Sequence, residues 1–154
     1  MGEHARAHPG GTALVTAPRA APPTAKSIRL VHAAMITGIV LFAVVAHFVM
    51  RPSMTGATDI SPDIQRLLPG VALGAALVSL VLRRRVPRRS AGESPDSFWL
   101  KASSPALVTW ALAEAGALLG VFLYGVVGLQ SGIGIAAIAV VIMIIENPGR
   151  LERA

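Results

Sequence analysis

The sequence is poor in the residues on which most reactive sites depend. It contains no cysteine among its 154 residues, so disulfide bonds and thiolate metal ligands are excluded. Its four histidines all lie between the N terminus and His47, which leaves no credible Ser/His/Asp set. No glycine-rich phosphate loop precedes a helical segment. We therefore predict that the chain is not an enzyme and that it binds no metal ion and no cofactor.

Charged residues are also scarce, at 14% of the chain, whereas soluble domains usually carry about a quarter. Three stretches contain no Asp, Glu, Lys or Arg, namely residues 31–50, 67–82 and 128–145. A fourth, residues 102–127, contains only Glu114. A soluble helix bundle would place a polar stripe on each helix, and these blocks have none. The pattern predicts an all-α protein, a bundle of four transmembrane helices.

The predicted membrane domain covers residues 27–146, and the segments around its spans are polar. The four spans are expected at about residues 27–50, 67–82, 105–127 and 130–145. Residues 1–26 are rich in Pro, Gly, Ala and Thr and are predicted to form a disordered N-terminal tail. Residues 83–104 are predicted to form a basic cytoplasmic loop, and residues 147–154 form the predicted C-terminal tail.

The end of the predicted loop carries two local signals. Phe98 and Trp99 stand just before a lysine, and such a cluster is typical of a segment that lies among lipid headgroups. Ser104 followed by Pro105 is typical of a helix start, because serine caps the first turn and proline fits its first position. The third span is therefore predicted to begin at Pro105.

The basic residues predict how the bundle is oriented. With four spans, twelve Lys and Arg residues fall on one side, in the N-terminal tail with the start of the first span, the loop and the C-terminal tail. Only Arg51 and Arg66 fall on the other side. Because positive residues are retained in the cytoplasm, we predict cytoplasmic N and C termini. The expected location is the cytoplasmic (inner) membrane, which the chain crosses several times.

The net charge of +6 does not by itself indicate nucleic acid. Most basic residues stand at the ends of apolar blocks. The arginine run from Arg83 to Arg89 could touch DNA or anionic lipid, but a cytoplasmic anchor is the favoured interpretation. The predicted partners are therefore the lipid bilayer and other membrane-embedded chains, with no nucleic acid.

Small residues predict where the spans approach one another. Helices in lipid associate by close packing, which glycines four residues apart permit. Three spans carry such pairs, and we predict helix packing at Gly70, Gly74, Gly116, Gly120, Gly128 and Gly132. The contacts can be formed within one bundle or between copies of the chain.

Glu114 is the single acidic residue within an apolar block. It lies nine residues beyond Pro105, about 13 Å along a helix, and therefore near the expected middle of the bilayer. No lysine or arginine is expected at the same depth in another span, so a charged carboxylate would be costly there. The expected hydrogen-bonding candidates are Thr37, Ser79, Thr109 and Tyr124.

Two roles are open for Glu114. As an ion-binding residue, it would take up and release a proton or cation within the membrane. As a structural residue, its protonated carboxyl would hold two helices together through a hydrogen bond worth about 0.6–2 kcal/mol.

His32 and His47 both lie in the first span, 15 residues apart. That separation corresponds to about 22 Å along a helix, which excludes joint binding of one metal ion. Each is expected near a membrane face, where we interpret it as an interfacial polar residue.

Two segments resemble the rotary ATPase proteolipid (c) subunits. Arg85-Val86-Pro87 matches the Arg-x-Pro element of their cytoplasmic loop. Residues 111–115, Ala-Leu-Ala-Glu-Ala, match the helix that carries their ion-binding carboxylate. The resemblance covers about residues 67–128 and implies that Glu114 binds the transported ion. The chain also resembles small four-span bacterial membrane proteins that have an acid in the third span and no known activity.

Two functional hypotheses follow for this small polytopic membrane protein. The first is a proteolipid-like subunit that translocates protons or cations through Glu114. The second is a non-catalytic accessory or assembly subunit, in which Glu114 is an interhelical hydrogen-bond clamp. Both imply a homo-oligomer or a subunit of a larger membrane complex.

Overall fold

The computed structural model describes residues 22–54 and 60–153. Within these ranges every regular element is helical. The elements are α1 (Ala25–Val45), a π-helical turn (Ala46–Met50), α2 (Arg51–Met54), α3 (Pro62–Leu82), a 3₁₀ turn (Arg83–Arg85), α4 (Pro95–Gly125), α5 (Ser131–Ile145) and α6 (Pro148–Leu151).

Four helical segments are long and apolar enough to cross a membrane. They are Ala25–Ser53, Pro62–Arg85, Pro95–Gly125 and Ser131–Leu151, with 29, 24, 31 and 21 residues. At about 1.5 Å per residue, the first three exceed roughly 30 Å, the thickness of a bilayer core. In the fourth, the 15 residues of α5 reach about 22 Å before the chain turns at Asn147 into α6. The predicted all-α fold with four candidate spans is therefore confirmed.

Helix α4 begins at Pro95, ten residues before the predicted start. The Ser94 side chain accepts a hydrogen bond from the Ser97 backbone N–H, so Ser94-Pro95 supplies the same start signal as Ser104-Pro105. Phe98 then lies in the first turns of a helix and is fully buried. Half of the segment predicted as a loop is therefore helical.

The predicted N-terminal tail lies mostly outside the described residues, since residues 1–21 are among those not described. Its last two residues, Ala25 and Lys26, belong to α1. Thr24 caps this helix: its side chain accepts from the Ser27 backbone N–H, while the Ser27 hydroxyl accepts from the Thr24 backbone N–H.

The four long helices form an antiparallel up-and-down bundle with α4 at its centre. Helix α4 packs against α1, α3 and α5, and half of the residues in its most apolar stretch are buried within the chain. In the most apolar stretch of the segment that starts with α1, only 11% of the residues are buried. Helices α1 and α4 begin where α3 and α5 end. We call this the basic end, because the 3₁₀ turn of three arginines lies there.

The outer surface of the bundle is apolar on every long helix. Large side chains such as Leu30, Leu67, Val108 and Val141 are more than half exposed. Water would oppose such exposure at roughly 25 cal/mol per Å² of apolar surface. A hydrocarbon surrounding removes that cost, in agreement with the membrane-spanning lengths of the helices.

Candidate functional site

Three of the predicted packing glycines stand where two helix backbones meet. A Cβ atom placed on Gly116 would lie 2.6 Å from the carbonyl oxygen of Ala72 in α3. A Cβ atom on Gly120 would lie 2.7 Å from the carbonyl oxygen of Gly132 in α5. Glycine is needed at these positions because a side chain would collide with backbone atoms, which cannot rotate away.

The other three predicted packing glycines make no such contact. A Cβ atom on Gly70, Gly74 or Gly128 would meet nothing within 4 Å in the described part of the chain. Gly128 instead has a φ of 80°, which favours glycine, and allows the turn between α4 and α5. Gly125, which we did not predict, packs against Ala46, whose Cβ would lie 2.7 Å from an added Cβ.

Glu114 lies on α4 at the edge between buried and exposed faces. Its side chain is half-buried, and Ala111 and Ala115 beside it are exposed. It makes no hydrogen bond or ion pair with any residue in 22–54 or 60–153. Of the predicted partners, the Ser79 and Thr109 hydroxyls donate to carbonyls of their own helices, Ala76 O and Pro105 O.

Thr37 lies at the same depth as Glu114 but on α1. The His32 and Trp110 rings are 4.7 Å apart, and His47 and Tyr124 meet further along the same two helices, which therefore run in the same direction. Thr37 lies five residues beyond His32, a rise of about 7.5 Å along α1, and Glu114 lies four residues beyond Trp110, a rise of about 6 Å along α4. The two residues are therefore at nearly the same depth. The Thr37 hydroxyl is exposed and likewise forms no hydrogen bond within the described chain.

The described residues around Glu114 do not form a cluster of metal-ligating side chains. Across the described ranges, no group of three His, Asp or Glu side chains could hold a metal ion. What Glu114 offers is one carboxyl in an apolar surrounding, next to two alanines that leave room for another helix. No protein-family model, curated protein or solved structure matches this chain.

The basic end contains a polar cluster around Glu152, which the sequence did not reveal. Glu152 accepts a hydrogen bond from the buried indole N–H of Trp99 at 2.9 Å and pairs with the Arg29 guanidinium. The backbone carbonyl of Glu152 accepts from Arg89 at 3.3 Å. The cluster joins α1, α4 and the segment after α6, so the predicted C-terminal tail is part of the packed structure.

The pKa of the Glu152 carboxyl is lowered by this cluster. Burial alone would raise the pKa, but the hydrogen bonds from Arg29 and Trp99, with the nearby positive charges, outweigh it. A carboxyl whose pKa is lower in the folded state stabilises the fold above its unfolded pKa of about 4.5 and loses that effect as pH falls further.

We therefore expect a pH-dependent stability difference between the wild type and Glu152→Gln. The wild type should have the higher melting temperature at pH 6–7. The difference should shrink as the pH falls below about 4.5, because Glu152 is then protonated in the unfolded state and, at lower pH, in the folded state as well. Thermal unfolding of both proteins in the same detergent, followed by tryptophan fluorescence, measures it. A difference that is constant between pH 7 and pH 3 would contradict the assignment.

Glu146 is a second carboxyl at the basic end and has a different surrounding. Its side chain is 1% exposed, and neither carboxylate oxygen has a hydrogen-bond partner in the described structure. The cation that acts on it electrostatically is Arg83. Trp110 donates its indole N–H to the backbone carbonyl of Glu146 at 3.2 Å, and not to the carboxylate.

The two histidines of the first span lie in unlike environments. His32 is buried, and its Nε2–H donates to the backbone carbonyl of Met143 at 3.0 Å. It is therefore a helix-joining residue, and the interpretation as an interfacial residue was wrong. His47 is exposed, as expected, and its Nδ1 lies 2.6 Å from the Tyr124 hydroxyl. The same hydroxyl accepts a hydrogen bond from Arg51 at 2.7 Å.

Proposed function

We propose that this chain is a non-catalytic subunit of a membrane assembly built from copies of itself, with Glu114 at the contact between neighbours. The observation that carries the proposal is the pair of unsatisfied groups at one depth, Glu114 on α4 and Thr37 on α1. Each lacks a partner in its own described chain. In an assembly, the Thr37 hydroxyl of one copy would donate to Glu114 of the next.

The cost of an unsatisfied carboxyl supports such a contact. On insertion scales an acidic side chain near the bilayer centre costs roughly 2.5–3.5 kcal/mol, and a hydrogen bond from another helix offsets part of that cost. Close approach is possible on both helices: Ala111 and Ala115 flank Glu114, and Gly38 beside Thr37 has nothing within 4 Å of an added Cβ.

The contact would join two different surfaces, the α4 face of one copy and the α1 face of the next. Repetition of such a contact closes into a ring when the rotation between copies permits. A ring with one carboxyl at each contact is also the arrangement that the resemblance to proteolipid subunits implies. Ion translocation through Glu114 remains the second hypothesis, because it would use the same residue at the same place.

We further propose that the protein lies in the cytoplasmic membrane with both termini inside. The excess of Lys and Arg on one side of the predicted topology supports this orientation. In the described chain the start of α1 lies beside the start of α4, because Ala25 N–H donates to Asp96 at 2.8 Å. The Arg29–Glu152 pair brings the end of the chain to the same place.

Cysteine cross-linking tests the contact, and the absence of native cysteine makes the test clean. Gly38→Cys with Ala115→Cys leaves Thr37 and Glu114 intact, and oxidation in membranes should give dimers and larger species. Leu77→Cys with Ala115→Cys is the matched control, because Leu77 is exposed on α3, which is not part of the proposed contact. Leu77 lies at about the depth of Ala115, since the neighbouring Ala76 packs beside Gly116. Equal cross-linking of both pairs, or none of the first, would overturn the proposed contact.

Substitution of Glu114 separates assembly from transport. A hydrogen bond of about 0.6–2 kcal/mol corresponds to an association constant changed about 3–30-fold. Glu114→Leu should therefore shift the oligomer toward smaller species in light scattering, whereas Glu114→Gln, which still accepts from a hydroxyl, should not. If Glu114→Leu leaves the oligomer unchanged and sodium slows carbodiimide labelling of wild-type Glu114, transport becomes the better hypothesis.

A further inference from the structure

A cavity at the basic end carries a concentrated positive charge. It has a volume of about 620 Å³ and lies where α3 ends, between the 3₁₀ turn and the C-terminal segment. Arg83, Arg84 and Arg88 line it. None of the three guanidinium groups makes a hydrogen bond or ion pair with another described residue. Ligand sites of small molecules usually have volumes of about 300–1,000 Å³, so the cavity is of suitable size.

The nearest acidic groups do not neutralise this charge. Glu152 adjoins the cavity residue Leu151, but its carboxylate is already bound by Arg29 and Trp99. Glu146 interacts electrostatically with Arg83, but its carboxylate is buried and does not hydrogen-bond to any arginine in the described chain. Arg84 and Arg88 are exposed. The cavity therefore retains an excess of positive charge for a ligand.

The remaining walls of the cavity indicate the kind of anion. Leu80, Val86 and Leu151 supply apolar surface, and Leu80 belongs to the last turns of a span. The cavity thus combines cationic groups with an apolar wall at the level where a membrane span ends. A phosphate-bearing lipid matches both features, because it has a charged headgroup and hydrocarbon chains. A guanidinium group can form two parallel hydrogen bonds to the oxygens of one phosphate.

We propose that this cavity binds the phosphate headgroup of an anionic phospholipid. The arginines contact the phosphate oxygens, and the glycerol and upper acyl region lie against Leu80 and Val86. The site is independent of the contact proposed for Glu114, which lies deeper in the apolar part of the bundle. The lipid, and not free phosphate, is the expected ligand, because an inorganic ion would make no favourable contact with the apolar half of the cavity wall.

The test uses the full-length protein in nanodiscs made of equal parts phosphatidylglycerol and phosphatidylcholine. Native mass spectrometry should detect preferential retention of phosphatidylglycerol. Arg84→Gln with Arg88→Gln should reduce that preference about tenfold or more, since each arginine near an anionic surface strengthens binding severalfold. The control is Arg85→Gln with Arg150→Gln, two exposed basic residues of the same end that do not line the cavity.

Further arms distinguish the sources of phosphate and guard against misfolding. Inorganic phosphate added at the lipid's concentration should not displace the lipid; displacement would mean that the cavity binds the free anion, which overturns the proposal. An equal loss in the control pair would show diffuse surface charge only and would overturn it as well. Arg84→Lys with Arg88→Lys keeps the positive charge and should retain most of the bound lipid. That result would show that the glutamine variants lose lipid because they lose charge, and not because they misfold.

Discussion

Gly132→Ala is expected to destabilise the bundle by about 2–3 kcal/mol. The added methyl group would lie 2.7 Å from the backbone nitrogen of Tyr124 and would also collide with the Gly120 carbonyl oxygen. Because backbone atoms cannot turn aside, α5 has to move away from α4 along its whole contact. At roughly 2–4 °C per kcal/mol for a chain of this size, the melting temperature in detergent should fall by about 5–10 °C.

Gly134→Ala is the matched control, two residues further along α5. A Cβ atom at Gly134 meets nothing within 4 Å, so this variant should be as stable as the wild type or slightly more stable. Alanine favours a helix over glycine by up to about 1 kcal/mol. If both variants lose stability equally, the loss comes from α5 itself, and the proposed α4–α5 contact does not explain it.

The glycines also show why a sequence motif did not reveal which helices pack. Gly70/Gly74 and Gly116/Gly120 have the same spacing, yet the second pair meets other helices and the first does not. The spacing places two small residues on one face of a helix, but it contains no information about which face turns inward. That choice depends on the large side chains around it, which are set by the whole bundle.

The uncharged blocks were sufficient to predict four membrane-length helices, because burial in lipid depends mainly on composition. The start of α4 was harder to predict, since Ser94-Pro95 and Ser104-Pro105 are equally good local signals. Burial of Phe98 and Trp99 against residues distant in sequence, including Leu151, favours the earlier start. A helix start that depends on such long-range packing cannot be inferred from local sequence alone.

The polar clusters of the basic end could not be predicted for a related reason. The bond from Trp99 to Glu152 joins residues 53 positions apart, and Arg29 lies 123 positions from Glu152. Charge counting placed these residues on the same side of the membrane, but it gave no reason to pair them. The short helix α6, with Asn147 as its N-cap, turns the end of the chain back onto the bundle and makes the pairing possible.

Glu146→Leu is expected to stabilise the protein. Both carboxylate oxygens of Glu146 are buried without a hydrogen-bond partner in the described chain, and such a group typically costs about 1–3 kcal/mol. Leucine has a similar volume and can pack against the apolar side chains at the end of α5. We expect a gain of about 1–3 kcal/mol, seen as a melting temperature several degrees higher in the same detergent.

Glu152→Leu is the opposite case and serves as the control for Glu146→Leu. It removes an acid of the same end that has partners, and it leaves the buried indole N–H of Trp99 unpaired, so its melting temperature should fall. Opposite signs for the two variants would show that the surroundings of each carboxyl, and not the negative charge at this end, determine its effect. If Glu146→Leu instead lost as much stability as Glu152→Leu, Glu146 would have a stabilising partner, and its carboxyl would be a structural ion-pairing group.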